Sequence, residues 1–494
     1  MDFIGIDVGT SGCKASVVSQ EGMVKKSAQR EYKILKNRNG WACLSLSVIW
    51  NSVRDVLKEI SSAASEVKAA AVSSLGETIA FLDEGDRLLM DDGMTYIDSR
   101  NTEVWKCLER RIPEKELYEI TGKTQPRIAT VNQYNYWKAT RPEVFEKARK
   151  ILFVDSFVAY MLSGEAAYDY STASNTLFYD INTYRWSDKL ADAYGIDLNL
   201  FPQVTSAGTF LGNIRREVSE ELNLPAEVKI LVGCHDQISA AIGGGAVVPG
   251  DAVLGEGSTE ALNLLVGNEQ TEQLKNAGLQ IEPFIQKGMY ISLLSRLMHG
   301  NCIKWFVNNF ASGLRQICKR EGCSIYDHLN QNCPGDSSGI IFLPYLSNTY
   351  FPDIDVPMGS FIGMDTTADI YHLYRAILEG LSCETAELFD LADDCGVRIN
   401  KITASGGVSR SSAYMQIKAD ITGKRIYTLE NTEAGIHGLA MLCAVQFGCY
   451  KDLSEASRQF SKTACCYTPE KDALHVLRRH RVFSNIVKKS YLNL

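Results

Sequence analysis

Short apolar runs alternate with longer helical patterns along the chain. The runs have the length and composition of buried strands, and they occupy 4–8, 69–72, 229–232 and 401–404. A long helix is predicted over 369–391, because apolar residues recur there at helical spacing and Gly396 supplies a stop. This alternation predicts an α/β fold in which helices cover sheets.

Two glycine-rich hairpins with the same plan are predicted, one near the start of each half of the chain. The first covers 5–18 and the second covers 252–266, and each has glycines and hydroxyl groups at its tip. The repetition indicates two similar domains, which agrees with a length of 494 residues because one core rarely serves more than about 250–300. With the boundary in the glycine-rich stretch 243–250, we expect an N-terminal domain at 1–245 and a C-terminal domain at 246–494.

The charge balance and the first residues narrow the class of protein. A formal net charge of −8 argues against a nucleic-acid or anionic-membrane partner, because both require basic surface. No apolar run approaches the roughly 18–20 residues of a membrane-spanning helix, and Met1-Asp2 leads into the first predicted strand without the basic segment of a signal peptide. We therefore expect a cytoplasmic protein that binds neither nucleic acid nor membrane. The sequence leaves the oligomeric state open, with a homodimer among the alternatives.

The cysteines show no metal-binding pattern. None of the 14 forms a C-x2-C pair, and Cys318, Cys323 and Cys333, which come nearest to a cluster, match no common zinc-site spacing. In a chain without an export signal, reduced and mostly buried thiols are expected.

The first hairpin carries an acid followed by small polar residues, Asp7-Val8-Gly9-Thr10-Ser11. Glycine lets backbone N–H groups approach phosphates, hydroxyl groups donate hydrogen bonds, and an acid at the end of a buried strand holds Mg²⁺ directly or through water. The same residue types also suit a plain hairpin turn, so this motif alone leaves both interpretations open.

Two further glycine-rich segments strengthen the phosphate interpretation. The tip of the second hairpin, 255–259, could hold one polyphosphate together with the first hairpin, each from its own side. The segment 405–409 follows a predicted strand and precedes a helix, where a glycine pair lets adenine and ribose lie against the backbone. A tight strand–helix turn is the alternative for that segment.

Another acid, Asp236, directly follows a predicted buried strand and opens the next helix. Phosphoryl transfer to an alcohol needs a group that orients the hydroxyl and accepts its proton late, and a carboxylate near a helix N-terminus suits both tasks. A simple N-cap is the structural alternative. The neighbouring His235 is interpreted as a packed or hydrogen-bonding residue rather than a catalyst.

Taken in order, these and other segments resemble the FGGY family of carbohydrate kinases, which includes glycerol kinase, xylulokinase and gluconate kinase. Each match is weak by itself, but the ordered set covers nearly the whole chain. The matching segments are 7–10, Tyr96-x-Asp98-x-Arg100, 168–174 after a helix predicted at 155–163, 233–237, Gly257-Ser258, 359–376, 405–407 and 433–440.

The resemblance implies two RNase H-like domains of the actin-like ATPase superfamily, with ATP and Mg²⁺ in the cleft between them. The N-terminal domain would bind the acceptor and supply Asp236 as the general base, and Asp7 and Asp236 would hold the metal. The implied acceptor residues are Gly76, Glu77, Thr78, Tyr96, Asp98, Arg100, Asp236 and Gln237. The implied nucleotide residues are Gly9, Thr10, Ser11, Lys14, Gly257, Ser258, Gly300, Gly406, Gly407 and Ser411.

Four places depart from the family pattern and leave the substrate open. One is Asn348-Thr349-Tyr350-Phe351-Pro352, where many members have Gly-Glu-Arg-Thr-Pro. Residues 75–78 lack the Gln-Met-His-Gly of xylulokinases and look more like the Arg-Glu-Thr of glycerol kinase, with Gly76 in place of the arginine. Tyr96 replaces the usual tryptophan. Glu256 places an acid in the second phosphate hairpin, where its side chain either turns away or helps to hold Mg²⁺.

Three classes of function compete. The leading hypothesis is an ATP-dependent kinase for a ketose, sugar acid or polyol, with a xylulose-like ketopentose as the best single substrate and glycerol or another short polyol as the alternative. An actin- or Hsp70-like ATPase would share the hairpins but would not need Glu77, Asp98 and Arg100 for hydroxyl recognition. A sugar-binding regulator without turnover is disfavoured by Asp7 and Asp236, while Glu256 keeps it open.

Overall fold

The computed structural model describes residues 1–296, 298–346 and 357–492, so the segment 348–352 lies outside the described residues. The contacts within the chain divide it into two compact units. Unit 1 comprises Met1–Pro249, Leu265–Ser292 and Glu433–Lys462, and unit 2 comprises Gly250–Leu264, Leu293–Thr432 and Thr463–Leu494. The predicted division into 1–245 and 246–494 places Leu265–Ser292 and Glu433–Lys462 in the C-terminal domain, whereas the contacts place both segments in unit 1. The ligand that each predicted domain binds stays a prediction.

Unit 1 is built on a six-stranded mixed sheet. Its central strands are apolar and buried on both faces, as expected for a sheet covered by helices. In spatial order the strands are Phe210–Asn213, Lys229–His235, Val67–Ser74, Asp2–Val8, Gly12–Ser19 and Val24–Glu31.

Smaller sheets and helices complete unit 1. The small sheets pair Leu35–Lys36 with Ala42–Ser45 and Asp92–Met94, Ile79–Leu82 with Lys150–Phe153, Tyr168–Asp169 with Val204–Thr205, and Tyr179–Asp180 with Arg185–Trp186. The helices are Leu46–Ile60, Ser99–Leu108, Glu114–Thr121, Thr130–Thr140, Pro142–Lys147, Val154–Ser163, Tyr170–Ser174, Asp188–Tyr194, Arg216–Leu222, Asp236–Gly243, Thr271–Asn276, Ala434–Gln446 and Leu453–Phe460.

The other large sheet has seven strands, and most of them belong to unit 2. Their order is Ile281–Pro283, Met289–Arg296, Glu260–Gly267, Asp251–Glu256, Lys401–Ser405, Ile426–Leu429 and Thr463–Tyr467. A small sheet pairs Ile341–Leu343 with Ser360–Ile362. The helices of unit 2 are Gly300–Asn309, Ser312–Glu321, Ile325–Gln331, Ile370–Asp394, Ser412–Thr422 and Leu474–Leu492.

The two large sheets share one strand plan, which confirms the internal repetition seen in the sequence. Each begins with an antiparallel hairpin, Asp2–Val8 with Gly12–Ser19 in one and Asp251–Glu256 with Glu260–Gly267 in the other. In both sheets, two parallel strands follow in spatial order beside the first strand of the hairpin, and an antiparallel strand forms the edge beyond them. This plan agrees with the predicted two-domain α/β class.

A tight helix pair in unit 1 places the start of helix Asp236–Gly243. This helix packs on helix Ala434–Gln446, and glycines line the contact. A Cβ at Gly243 would lie 1.8 Å from the carbonyl oxygen of Ala434, and one at Gly438 would lie 2.0 Å from that of Ser239. Because only glycine permits such a close approach, the orientation of helix Asp236–Gly243 depends on these two residues.

Most local predictions agree with the structure. The predicted helices at 155–163 and 369–391 are Val154–Ser163 and Ile370–Asp394, and each predicted strand is present with slightly wider bounds. All 14 cysteines are free thiols, and eight of them are buried. No helix in the described part of the chain combines the length and apolarity that crossing a bilayer requires.

Candidate active site

The tip of the first hairpin presents Asp7 and a short glycine turn. Gly9 N–H donates to the carbonyl oxygen of Gly12 at 2.9 Å, and the Tyr32 hydroxyl donates to the carbonyl oxygen of Gly9 at 2.7 Å. These bonds hold the turn from both sides. The side chain of Lys14, a predicted nucleotide residue, forms an ion pair with Glu433 at 2.6 Å.

The surroundings of Asp7 disfavour its ionised form. Burial is the main cause that raises its pKa to about 6, and the nearby carboxylate of Asp236 adds to the shift. The Ser73 hydroxyl donates to Asp7 Oδ1 at 2.7 Å and opposes the shift. The structure therefore brings together the two acids that the sequence singled out.

Asp236 is the first residue of its helix and directly follows strand Lys229–His235. Its side chain is 30% exposed, so it remains accessible to a ligand. Gln237 Nε2 donates to Asp236 Oδ1 at 3.1 Å, and His235 Nε2 lies 3.3 Å from the same oxygen. The geometry suits a base whose orientation is set by its neighbours.

His235 is held between two carboxylates. Its Nδ1 lies 2.9 Å from Glu282 Oε1, while Nε2 faces Asp236. Burial lowers the pKa of His235, but the negative charges of Glu282 and Asp236 outweigh burial and raise it to about 10. Glu282 in turn lies 2.9 Å from Lys123 Nζ, and burial of its carboxylate is outweighed by Lys123 and His235, so its pKa is lowered to about 2.

Glu77 lies in the same electrostatic environment as these groups. Burial raises the pKa of Glu77 to about 7, with Asp236 and Glu282 adding to the rise and His235 and Lys123 opposing it. Its carboxylate is partly buried and available to accept hydrogen bonds.

The residues on either side of Glu77 have different surroundings. Thr78 is fully buried and donates its hydroxyl proton to the carbonyl oxygen of Met94 at 2.7 Å, so its hydroxyl supports the backbone. Tyr96 is 42% exposed, and partial burial together with the charges of Glu77 and Asp236 raises its pKa. Tyr96 therefore lies near the two acids, whereas the hydroxyl of Thr78 points to the protein.

Asp98 and Arg100 pair with each other. Asp98 caps helix Ser99–Leu108 and accepts a bond from Ala42 N–H at 2.6 Å, and Arg100 NH2 lies 2.8 Å from Asp98 Oδ2. The guanidinium carbon of Arg100 also lies 4.4 Å from the centre of the Trp41 ring. Both side chains are thus engaged by protein groups, and their contact with a substrate stays a prediction.

Several predicted nucleotide residues line one cavity of about 560 Å³ within unit 2. These are Gly257, Ser258, Gly300, Gly407 and Ser411. Gly406, next to them, has a φ of +108°, and a Cβ there would lie 2.6 Å from the carbonyl oxygen of Glu256, so this turn requires glycine.

Residues outside the sequence motifs also line this cavity. Helix Ile325–Gln331 contributes Asn330, which accepts bonds from the Ser411 hydroxyl at 3.1 Å and the Tyr374 hydroxyl at 2.9 Å. Tyr414 lines the cavity as well. Asn330 and Tyr414 belong to no motif, so no sequence signal marks them.

The side chain of Glu256 turns into the interior of unit 2. Glu256 and Glu260 are fully buried, while the tip between them is exposed. The ammonium group of Lys418 pairs with Glu256 and lies 2.5 Å from Glu260 Oε1, and His299 Nε2 lies 2.6 Å from Glu256 Oε2. Burial of the Glu256 carboxylate is outweighed by Lys418 and His299, which lower its pKa. Of the two alternatives for Glu256, the structure supports the one in which the side chain turns away.

Acidic side chains near the two hairpins could supply ligands for Mg²⁺. Glu256, Glu260 and His299 present atoms close enough to share an ion, but the ammonium group of Lys418 takes the place of a cation there. Asp7 and Asp236 offer hard oxygen ligands at the carboxyl ends of the two strands that flank strand Val67–Ser74. This pair fits a magnesium ion, and its role as a metal site stays a prediction.

Two models for the FGGY family of carbohydrate kinases match the chain, the N-terminal domain at residues 3–243 and the C-terminal domain at residues 280–447. A xylulose kinase from Bacillus subtilis (strain 168) is 25% identical, and the match covers 94% of this chain and 92% of that protein. The crystal structure of ligand-bound xylulose kinase from Lactobacillus acidophilus has a TM-score of 0.84 at 22% identity, covering 99% of both chains. That of gluconate kinase from Lactobacillus acidophilus has a TM-score of 0.82 at 21% identity, also covering 99% of both.

Proposed function

This chain belongs to the FGGY family of carbohydrate kinases, and we propose that it transfers the γ-phosphoryl group of ATP to a hydroxyl of a small polyhydroxylated carbohydrate, with Asp236 as the general base. The observation that carries the proposal is the position of Asp7, Asp236 and Glu77 at the carboxyl ends of three adjacent parallel strands in unit 1. Such a set of acids serves metal binding, proton transfer and hydroxyl recognition together.

Asp236 performs the proton transfer in this proposal. The acceptor hydroxyl donates a hydrogen bond to the Asp236 carboxylate, which aligns the hydroxyl oxygen with the γ-phosphorus. As the new P–O bond forms, the hydroxyl proton passes to Asp236, and the bond to the leaving ADP oxygen breaks. The bond from Gln237 Nε2 and the contact with His235 Nε2 hold the carboxylate in one orientation.

The glycine-rich segments bind the nucleotide in this proposal. The tip Gly9-Thr10-Ser11 and the pair Gly257-Ser258 offer N–H and hydroxyl donors to the phosphates, and the cavity lined by Gly300, Gly407 and Ser411 accepts the adenosine. Asp7 and Asp236 would hold Mg²⁺, which neutralises phosphate charge when bound.

Glu77 and Tyr96 recognise the acceptor in this proposal. The carboxylate of Glu77 accepts bonds from sugar hydroxyls, and the exposed ring of Tyr96 covers the carbon skeleton. A xylulose-like ketopentose is the best single substrate, with glycerol or another short polyol as the alternative. Similarity to the named xylulose kinases supports this choice.

The test is ADP release by the purified protein with a panel of ketoses, polyols and sugar acids, each at saturating ATP and Mg²⁺. We expect at least one member of the panel to raise ADP release far above the acceptor-free rate, and mass spectrometry to show the phosphorylated acceptor. If ADP release is independent of every acceptor, the ATPase hypothesis replaces the kinase. If no ATP is consumed at all, the regulator hypothesis does.

A further inference from the structure

A continuous series of polar side chains leads to Asp236 within unit 1. Lys123 Nζ donates to Asn175 Oδ1 at 2.7 Å and lies 2.9 Å from Glu282 Oε2. The other oxygen of Glu282 lies 2.9 Å from His235 Nδ1, and His235 Nε2 lies 3.3 Å from Asp236. Three members of this series, Lys123, Asn175 and Glu282, lie outside every motif that the sequence revealed.

This series of polar side chains passes beside the proposed acceptor residues. A Cβ at Gly76 would lie 2.6 Å from Asn175 Nδ2 and 3.0 Å from His235 Nε2. The side chains of Asn175 and His235 therefore lie close to the backbone just before Glu77. Asn175 Nδ2 is buried and has no hydrogen-bond partner among the described residues. The charges of Lys123, His235 and Glu282 also reach Glu77. These polar side chains therefore form one wall of the proposed acceptor site.

The ion pair within this wall determines the charge that an acceptor meets. The side chains of Lys123 and Glu282 are only 6% and 3% exposed, so little solvent screens their attraction. Glu282 also faces His235, whose other ring nitrogen faces Asp236, so each basic group of this wall lies against a carboxylate. A carboxylate on the acceptor would meet no unpaired cation in this wall and would lie near Glu77 and Asp236, whereas a neutral sugar would donate hydroxyl bonds to these two acids.

We propose that Glu282 is a specificity-determining residue, which neutralises Lys123 and thereby restricts the acceptor site to uncharged sugars and polyols and excludes sugar acids. The inference rests on the proposed function, because it presumes that the acceptor binds at Glu77 and Asp236. It decides between substrate classes that the sequence left open.

The first experiment compares neutral and acidic acceptors of equal length. Five- and six-carbon ketoses and polyols are paired with the aldonic acids of the same carbon number, and kcat/KM is measured from ADP release. We expect the preferred neutral acceptor to exceed its acid by at least about 100-fold, because like-charge contacts in a poorly screened site are strongly unfavourable.

The second experiment changes the charge and keeps the shape. Glu282→Gln retains hydrogen-bonding atoms for Lys123 and His235 but leaves the ammonium group uncompensated. We expect the acid-to-neutral ratio of kcat/KM to rise about tenfold, since a free cation now attracts the acid. The double variant Glu282→Gln with Lys123→Gln removes both charges and should return the ratio toward that of the unchanged protein. Glu269→Gln alters an exposed acid of the same segment and should leave the ratio unchanged.

Each outcome decides the inference. Sugar acids used as well as neutral sugars would overturn it while the kinase function stands, as would a folded Glu282→Gln protein with an unchanged ratio. Should Glu282→Gln fail to fold, the double variant and the panel on the unchanged protein still decide. If no acceptor of either class is phosphorylated, the proposed function fails, and this inference fails with it.

Discussion

The carboxylate of Glu256 and the ammonium group of Lys418 form a fully buried ion pair beneath the exposed tip of the second hairpin. Lys418 also contacts Glu260, so one cation serves two carboxylates on the same hairpin. The acid that departs from the family pattern is therefore neutralised inside unit 2, and its charge is directed away from the exposed residues Gly257 and Ser258.

Replacing Lys418 should destabilise the fold more than replacing Glu256. Lys418→Met leaves two buried carboxylates without their shared cation, and removing one partner of a buried pair costs about 3–5 kcal/mol. Glu256→Gln leaves the pair of Lys418 and Glu260 and should cost less. The free energy of unfolding from urea titration measures both.

Lys424→Met is the matched control for this pair. Lys424 belongs to a partly exposed ion pair with Asp393 at 3.0 Å, and such pairs contribute about 0–1 kcal/mol. If Lys418→Met unfolds no more easily than Lys424→Met, the buried pair does not stabilise unit 2 in the way described.

Gly257→Ala should weaken ATP binding without loss of stability. The nearest atom to an added Cβ is 3.6 Å away, so the free protein has room for the methyl group, which would stand where the phosphates are proposed to approach. We expect the KM for ATP to rise about tenfold, a change of roughly 1.4 kcal/mol, with the KM for the acceptor little changed.

Two other glycines bracket that result. Gly313 lies outside the cavity and has no atom within 4 Å of an added Cβ, so Gly313→Ala should leave both KM values unchanged. Gly406→Ala should destabilise the fold by about 1–3 kcal/mol, because its φ of +108° strains any other residue. An unchanged KM for ATP in Gly257→Ala would argue against phosphate binding at this hairpin.

Asp236→Asn should remove most turnover and preserve the fold. Loss of a positioned general base typically lowers kcat by about 10²–10⁴-fold. Single-turnover kinetics on the identified substrate, with circular dichroism as the check on folding, measure the effect. Asp188→Asn changes an exposed acid at the start of another helix and is the control. Near-normal turnover in Asp236→Asn would assign the base to another group.

Glu77→Gln should raise the KM for the acceptor far more than the KM for ATP. A mispaired polar contact costs about 1–3 kcal/mol, and only the acceptor is proposed to touch this carboxylate. A change confined to the KM for ATP would contradict the proposed location of the acceptor.

Acceptor binding should also depend on pH through Glu77. Its pKa is raised to about 7, so as the pH falls below about 7 the carboxylate becomes protonated, loses its negative charge and exchanges part of its acceptor capacity for an O–H donor. The KM for the acceptor should therefore rise on acidification, and this rise should be weaker in Glu77→Gln. A pH profile of the KM in both proteins measures the difference.

The raised pKa of Glu77 also affects the stability of the fold, which depends on pH in the opposite direction to acceptor binding. An acid whose pKa is higher in the folded state keeps its proton there while the unfolded chain has lost it. This group therefore makes the free energy of unfolding fall as the pH rises from about 4.5 to about 7. Glu77→Gln should lack that part of the decrease, which urea titrations at several pH values would show.

Local chemistry was sufficient to predict the hairpins, the principal strands and helices, and the acids at their ends. Apolar periodicity and glycine turns act over a few residues, so the hairpin with Asp7 and the strand–helix junction with Asp236 could be predicted from neighbouring positions. The ordered motifs then indicated the family. None of these signals required knowledge of which distant residues meet.

Tertiary structure alone decided the partners of the charged groups. Lys123 meets Glu282 across 159 positions of sequence, and Lys418 meets Glu256 across 162, because strand register and helix packing bring these segments together. A buried charge in a sequence carries no local sign of its partner, since pairing depends on distance and desolvation rather than on spacing along the chain. For that reason the side-chain direction of Glu256 and the wall formed by Lys123, Asn175 and Glu282 became visible only in the folded protein.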